Sequence, residues 1–179
     1  MRRSNGRFFW PVFLLVVAVD FFTNSLATHL DRDAVPRELY GDWLRLTLVH
    51  NKGAAFGLYV GEHSRWIFMV LTIIALVILA RLYTATRRGD LIRSVSLALV
   101  CGGAVGNLID RIMSADGVID FIDIGVGDSR WPTFNVADMA VSIGAFLLAW
   151  VLWGEDAEAE AVAVPTPATV PGADTRELS

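Results

Sequence analysis

Trp66-Ile67-Phe68-Met69-Val70-Leu71-Thr72-Ile73-Ile74-Ala75-Leu76-Val77-Ile78-Leu79-Ala80 carries no charge, and Thr72 is its one polar group. A helix rises about 1.5 Å per residue, so about 20 residues cross a hydrocarbon core about 30 Å thick. Arg81 can snorkel, which extends the apolar helix to Tyr83. The stretch lacks the polar stripe that an amphipathic helix of a soluble protein carries, so it reads as a membrane span. Three further apolar blocks lie on either side. One runs from Phe8 to about Leu30 with a single charge, Asp20; one from Leu91 to Ile109 with Arg93 near its start; one from Phe134 to Gly154 with Asp138 a turn inside. The fold class expected is an α-helical membrane protein with spans at about 8–28, 66–83, 92–110 and 134–153.

Composition excludes other classes. With 179 residues, 54% hydrophobic and 19% charged, the chain is too apolar to be disordered. Its formal charge of −4 argues against nucleic acid as a partner. The single Cys101 permits no internal disulfide and is too little for a structural zinc site.

The N-terminus resembles a secretory signal, with Arg2, Arg3 and Arg7 before an apolar run. Asp20 interrupts that run and no A-x-A-like cleavage site follows in the usual place, so the block reads as a retained first span. Basic residues crowd this start and the short link carrying Arg81, Arg87, Arg88 and Arg93. The basic residues of the other side are spread over long segments and mixed with acids. Density near the span ends therefore predicts that both termini are cytoplasmic.

Residues 31–65 and 111–133 then lie outside. Trp43-Leu44-Arg45-Leu46-Thr47-Leu48-Val49-His50 alternates as a strand does, Asn51-Lys52-Gly53 reads as a turn, and Ala54–Tyr59 resumes an apolar course. A small sheet at the outer surface is expected. Residues 1–154 form the membrane domain, and 155–179, rich in Glu, Ala, Pro and Thr, read as a disordered cytoplasmic tail.

An ionisable group inside a span is costly and marks a functional candidate. Asp20, Asn107, Asp110-Arg111 and Asp138 all fall toward the outer ends of their spans, at one depth. Asp116 sits in a turn, Ser114-Ala115-Asp116-Gly117, and Asp110 has Arg111 beside it as a salt-bridge or packing partner. Asp120 stands among apolar neighbours in Val118-Ile119-Asp120-Phe121-Ile122, while Asp123 faces the other side of that run or solvent. Asp120 and Asp138 are thus the pair selected. Two adjacent carboxylates cannot both ionise cheaply, so one keeps a proton near neutral pH while the other accepts one. That division suits peptide hydrolysis by activated water. His29, His50 and His63 lack metal-ligand spacing and read as interfacial surface residues. Gly125-Val126-Gly127-Asp128 is a G-x-G-D string in a polar loop and reads as a turn. Gly102 to Gly106 forms a G-x-x-x-G inside the third span, where it lets helices approach closely.

Four strings now resemble those of the lipoprotein signal peptidase (signal peptidase II) family. They are Asn51-Lys52-Gly53-Ala54-Ala55-Phe56; Gly102-Gly103-Ala104-Val105-Gly106-Asn107-Leu108-Ile109-Asp110-Arg111; Val118-Ile119-Asp120-Phe121-Ile122; and Pro132-Thr133-Phe134-Asn135-Val136-Ala137-Asp138. They occur in family order and spacing over roughly residues 8–153. The resemblance implies four transmembrane helices with a small extracytoplasmic β-cradle, and a catalytic dyad of Asp120 and Asp138. Asn51, Gly53, Asn107, Asp110, Arg111, Asn135 and Asp20 match positions that line or support the site. It also implies cleavage of diacylglyceryl-modified bacterial prolipoproteins before the lipidated cysteine, with no metal or organic cofactor. Membrane lipid is the surrounding partner, and a monomer is expected. The family usually has Lys where this chain has Asn24, a departure that leaves the charge pairing of the Asp20 corner open. The rival readings are a small transporter or assembly factor using intramembrane aspartates, and a peptidase of unlipidated signal peptides. The inner halves of the spans lack the polar ladder that transport needs.

Overall fold

The four apolar blocks form four long helices: α1 Gly6–Ala27, α2 Ser64–Ala85, α3 Leu91–Met113 and α4 Val136–Ala163. A computed structural model of the chain describes residues 5–30, 36–53 and 59–163, the last eight as backbone alone. All four helices are long and apolar enough to cross a membrane. α3 is the central one, packed against α1 on one side and α4 on the other, and it alone carries a long row of buried positions. In α2 only Ser64 is buried, and Val70, Ile74, Val77 and Ile78 are exposed, as befits a helix surrounded by lipid. The core at one end joins Phe9, Leu97, Ala98 and Cys101, with the Phe9 and Tyr83 rings 4.3 Å apart.

At that same end Asn5 ties the start of α1 to the α2–α3 link. Its amide donates to the Thr86 and Arg87 carbonyls at 3.3 and 2.9 Å and accepts from the Gly89 N–H at 2.8 Å. Asp90 caps α3 through the Arg93 N–H at 3.0 Å, and Arg93 pairs in turn with Glu155. α4 continues past the boundary expected at Gly154, because Glu155-Asp156-Ala157-Glu158-Ala159-Glu160 has high helix propensity. The rest of the expected tail, from residue 164, lies outside the described residues, as does Ala54–Leu58 of the apolar course after the turn.

The opposite end carries the expected sheet: β1 Arg37–Tyr40, β2 Leu44–Asn51, β3 Val118–Val126 and β4 Ser129–Arg130, antiparallel in the order β1-β2-β3-β4. The strand read from Trp43 to His50 is β2, shifted by one residue. A bulge between Leu46 and Val49 brings Val49 opposite Asp120. The Gly125–Asp128 string belongs to the β3–β4 hairpin, where Gly127 takes a positive φ of 54°, so it is a turn.

Asp123 points away from Asp120 and is buried, not solvated. Arg45 and Arg130 grip it at 2.9 and 2.8 Å, and both also contact Asp42. Burial pushes the Asp123 pKa up, but the hydrogen bonds and charges of Arg130 and Arg45 outweigh it and hold the carboxyl below its usual range. The unfolded chain therefore binds more protons than the native one at low pH. The stability so gained is complete at neutral pH and is lost as pH falls below about 4. Asp123→Asn should cost about 1–2 kcal/mol at pH 7, read as a lower Tm, and should flatten the acid limb of the Tm–pH curve.

Candidate active site

The sheet end of the bundle brings the costly polar residues together. Asp120 is on β3 and Asp138 on the first turn of α4, and each is held by an asparagine. The Asn51 amide donates to Asp120 Oδ2 at 3.0 Å, and the Asn107 amide donates to Asp138 Oδ1 at 2.8 Å. Asp120 is 1% exposed, and its Oδ1 is buried with no hydrogen-bond partner among the described residues. Burial chiefly, then the nearby Asp138 charge, push the Asp120 pKa up to about 7, against the Asn51 hydrogen bond and the Arg111 charge.

Each supporting residue has a definite task. Asn135 is the residue before α4. Its Oδ1 accepts the Asp138 N–H at 2.9 Å, an N-cap that also fixes the Asp138 backbone. Its amide donates to Asn107 Oδ1 and to the Ile119 carbonyl, each at 3.1 Å, joining α3, α4 and β3 at one point. Asn51 Oδ1 closes the turn by accepting the Gly53 N–H at 2.9 Å. The Gly53 carbonyl accepts from Arg111 Nη2 at 2.8 Å, and Arg111 Nη1 donates to the Asn107 carbonyl at 3.0 Å. The Arg111 guanidinium stands 6.0 Å from the Phe68 ring and acts electrostatically on Asp138, Asp120 and Asp110.

Asp110 does not pair with its neighbour Arg111. Successive helical residues point about 100° apart, so Arg111 turns toward Gly53 and Asp110 toward α1. Asp110 Oδ2 accepts from the Asn24 amide at 2.8 Å and from the Ile119 N–H at 3.1 Å. Asp20 Oδ1 accepts the Ala137 N–H at 2.8 Å, and its Oδ2 accepts from the same Asn24 amide at 3.3 Å. Among the described residues, no Lys or Arg forms an ion pair with Asp20 or Asp110.

His29 and His63 are exposed and His50 half-buried, and among the described residues no cluster suited to a metal occurs. Sequence reasoning missed two contributors. Arg65 of α2 donates to the Arg111 and Ile112 carbonyls at 2.6 and 3.2 Å, satisfying the open end of α3 beside the site. Asn24 joins Asp20 to Asp110. The signal for it was present, an uncharged amide four residues after a buried aspartate in a span, but its far partner on α3 is a tertiary fact.

Two cavities meet at Asn51, Asp138 and Val141. One, of about 360 Å³, runs between α2 and α3 past Phe68, Leu71 and Ala104 to Arg111. The other, of about 380 Å³, lies along α4 under Trp131, Phe134, Met139 and Ile143.

Four membrane helices roofed by a small sheet, with one aspartate on the sheet and one on the helix below it, define a multi-pass membrane enzyme of aspartic-peptidase type. A family model described as signal peptidase (SPase) II matches residues 12–154, and the chain belongs to that family. A lipoprotein signal peptidase of Syntrophomonas wolfei is 43% identical over 145 residues, covering 78% of this chain and 89% of that protein. One from Syntrophotalea carbinolica is 36% identical over 156 residues, covering 86% and 95%. Two solved structures described as bacterial membrane enzymes superpose with TM-scores of 0.71 and 0.68 at 28% and 31% identity. They cover 89% and 79% of this chain, and it covers 92% and 89% of theirs.

Proposed function

We propose that this protein removes the signal peptide from diacylglyceryl-modified bacterial prolipoproteins, cutting before the lipidated cysteine, with Asp120 and Asp138 as its catalytic dyad. The observation that carries the reading is the pairing of two asparagine-held aspartates at the sheet end of the bundle, one of them with a pKa of about 7. Asp138 takes a proton from water, and the water oxygen attacks the scissile carbonyl carbon. Asp120 gives its proton to the carbonyl oxygen. As the tetrahedral intermediate collapses, Asp120 takes back a proton from one of its hydroxyls, the C–N bond breaks and Asp138 gives its proton to the leaving nitrogen. Arg111, held between Gly53 and Asn107, offsets the negative charge of the site.

The α2–α3 cavity, walled by Phe68, Leu71, Ala75 and Leu79, receives the apolar signal helix. The α4 cavity, walled by Met139 and Ile143, takes the acyl chains from the lipid side. Both termini are cytoplasmic and the site lies at the outer face, a reading supported by the basic density at Arg2, Arg3, Arg7, Arg81, Arg87 and Arg88.

The test offers one prolipoprotein, with and without its diacylglyceryl group, to purified protein in lipid. Cleavage of the lipidated form alone supports the reading. Equal cleavage of both points to an unlipidated-substrate peptidase, and cleavage of neither by folded protein to the transport reading. The pH profile adds a second check. Asp120 must hold its proton to act as the acid, so kcat/KM should fall as pH rises through about 7, the limb belonging to the coupled pair. A rate still rising at pH 8.5 contradicts the role given to Asp120.

A further inference from the structure

Asp120 and Asp138 are each preceded by a residue whose backbone N–H is bonded to a buried carboxylate. The N–H of Ile119 donates to Asp110 at 3.1 Å, and that of Ala137 to Asp20 at 2.8 Å. The Asn24 amide donates to both carboxylates, at 2.8 and 3.3 Å. Asp20 and Asn24 are 1% and 2% exposed, and Asp110 is also buried, so these bonds are made in a largely desolvated corner where each carries more weight than at the surface. We propose that Asn24 is a positioning residue that, through Asp110 and Asp20, fixes the separation of Asp120 from Asp138. The chain of contacts runs Ile119–Asp110–Asn24–Asp20–Ala137 and joins β3 to the start of α4 through α1. Asn24 has no hydrogen bond to either aspartate of the pair and lines neither cavity that meets at Asp138. The proposal rests on the dyad reading and adds to it the element that sets its geometry.

Asn24→Leu keeps the approximate shape and removes the donor. With the link gone, β3 and the α4 start relax independently, and a misplacement of about 1 Å costs up to about 10²-fold in rate. The expected result is a kcat lower by about 10–100-fold with KM nearly unchanged. The pH limb gives the second readout. The groups acting on Asp120 are Asp138 on α4, Asp110 and Arg111 on α3 and Asn51 on β2. A wider Asp120–Asp138 gap weakens the repulsion that raises Asp120, so the alkaline limb moves to lower pH by about half a unit or more. Asn24→Gln, which keeps an uncharged amide donor, should hold rate and limb closer to wild type than Asn24→Leu does. Asn24→Ser, with one donor on a shorter side chain, covers a failure of the Leu variant to fold and should move the limb in the same direction.

An unmoved limb in the Leu and Ser variants overturns the proposal, whether activity is kept or is lost in parallel with folded protein. That failure is distinct from failure of the dyad reading, which shows as activity retained in Asp120→Asn or Asp138→Asn.

Discussion

Asp120→Asn and Asp138→Asn should each lower kcat/KM on lipidated prolipoprotein by about 10³–10⁴-fold, the scale of losing a general acid or base. Both should remain folded. Asn at position 120 still accepts the Asn51 hydrogen bond, and Asn at 138 still begins α4 with its N–H on Asn135. The stability effect of Asp120→Asn has a definite sign. A folded pKa of about 7 means the native state keeps a proton that the unfolded chain has released by about pH 4. The wild type therefore loses stability as pH rises from about 4 through 7, and the amide avoids that loss. At pH 8 the variant should be inactive yet more stable than wild type, by about 2 kcal/mol. Activity assays paired with Tm at pH 8 check both halves. A variant that loses activity and Tm together marks Asp120 as structural.

The second large effect is on packing. A Cβ on Gly103 would collide with the Ala137 carbonyl oxygen and lie 2.8 Å from Val141 Cγ2, and the first of these is backbone that cannot rotate away. Gly103→Ala therefore drives α3 and α4 apart at the turn that carries Asp138, and the 2.8 Å Asn107–Asp138 bond goes with it. A stability loss of about 3 kcal/mol and a rate loss of about 10²-fold are expected, measured as yield of folded protein, Tm and kcat. Gly154→Ala, with nothing within 4 Å, is the control and should behave as wild type.

The four helices were legible because lipid imposes length and apolarity on each segment separately. Val70 or Ile74 needs no distant partner to be read as membrane-facing. The outer strand β2 was legible from period-two alternation, and its bulge was not, since a bulge depends on the strand opposite. Asp120 and Asp138 stood out because a carboxylate among apolar residues is costly wherever it packs. Their partners were harder. Asp110 looked like half of an Asp110–Arg111 pair, yet adjacent helical residues diverge, and its true partners Asn24 and Ile119 come from other elements. Asp123 was placed on the far side of its run or in solvent, and the choice stayed open because nothing local announces that Arg45 and Arg130 converge on it across the sheet. Gly102 and Gly106 were read as a helix-approach motif, which is right in kind, Gly102 lying against Val16 of α1. That Gly103 meets α4 while Gly106 leaves room for Asp20 follows only from the packed helices.

A protonated Asp120 beside Asp138 is the centre of this account, and pH-difference infrared spectroscopy of the protonated carboxyl C=O band reads it directly. In the wild type a band absent from Asp120→Asn should disappear with a midpoint near pH 7, and in Asp138→Asn the same band should titrate at lower pH once the neighbouring charge is gone. A band that titrates at the ordinary aspartate value in the wild type, or one that persists in Asp120→Asn, would contradict the account.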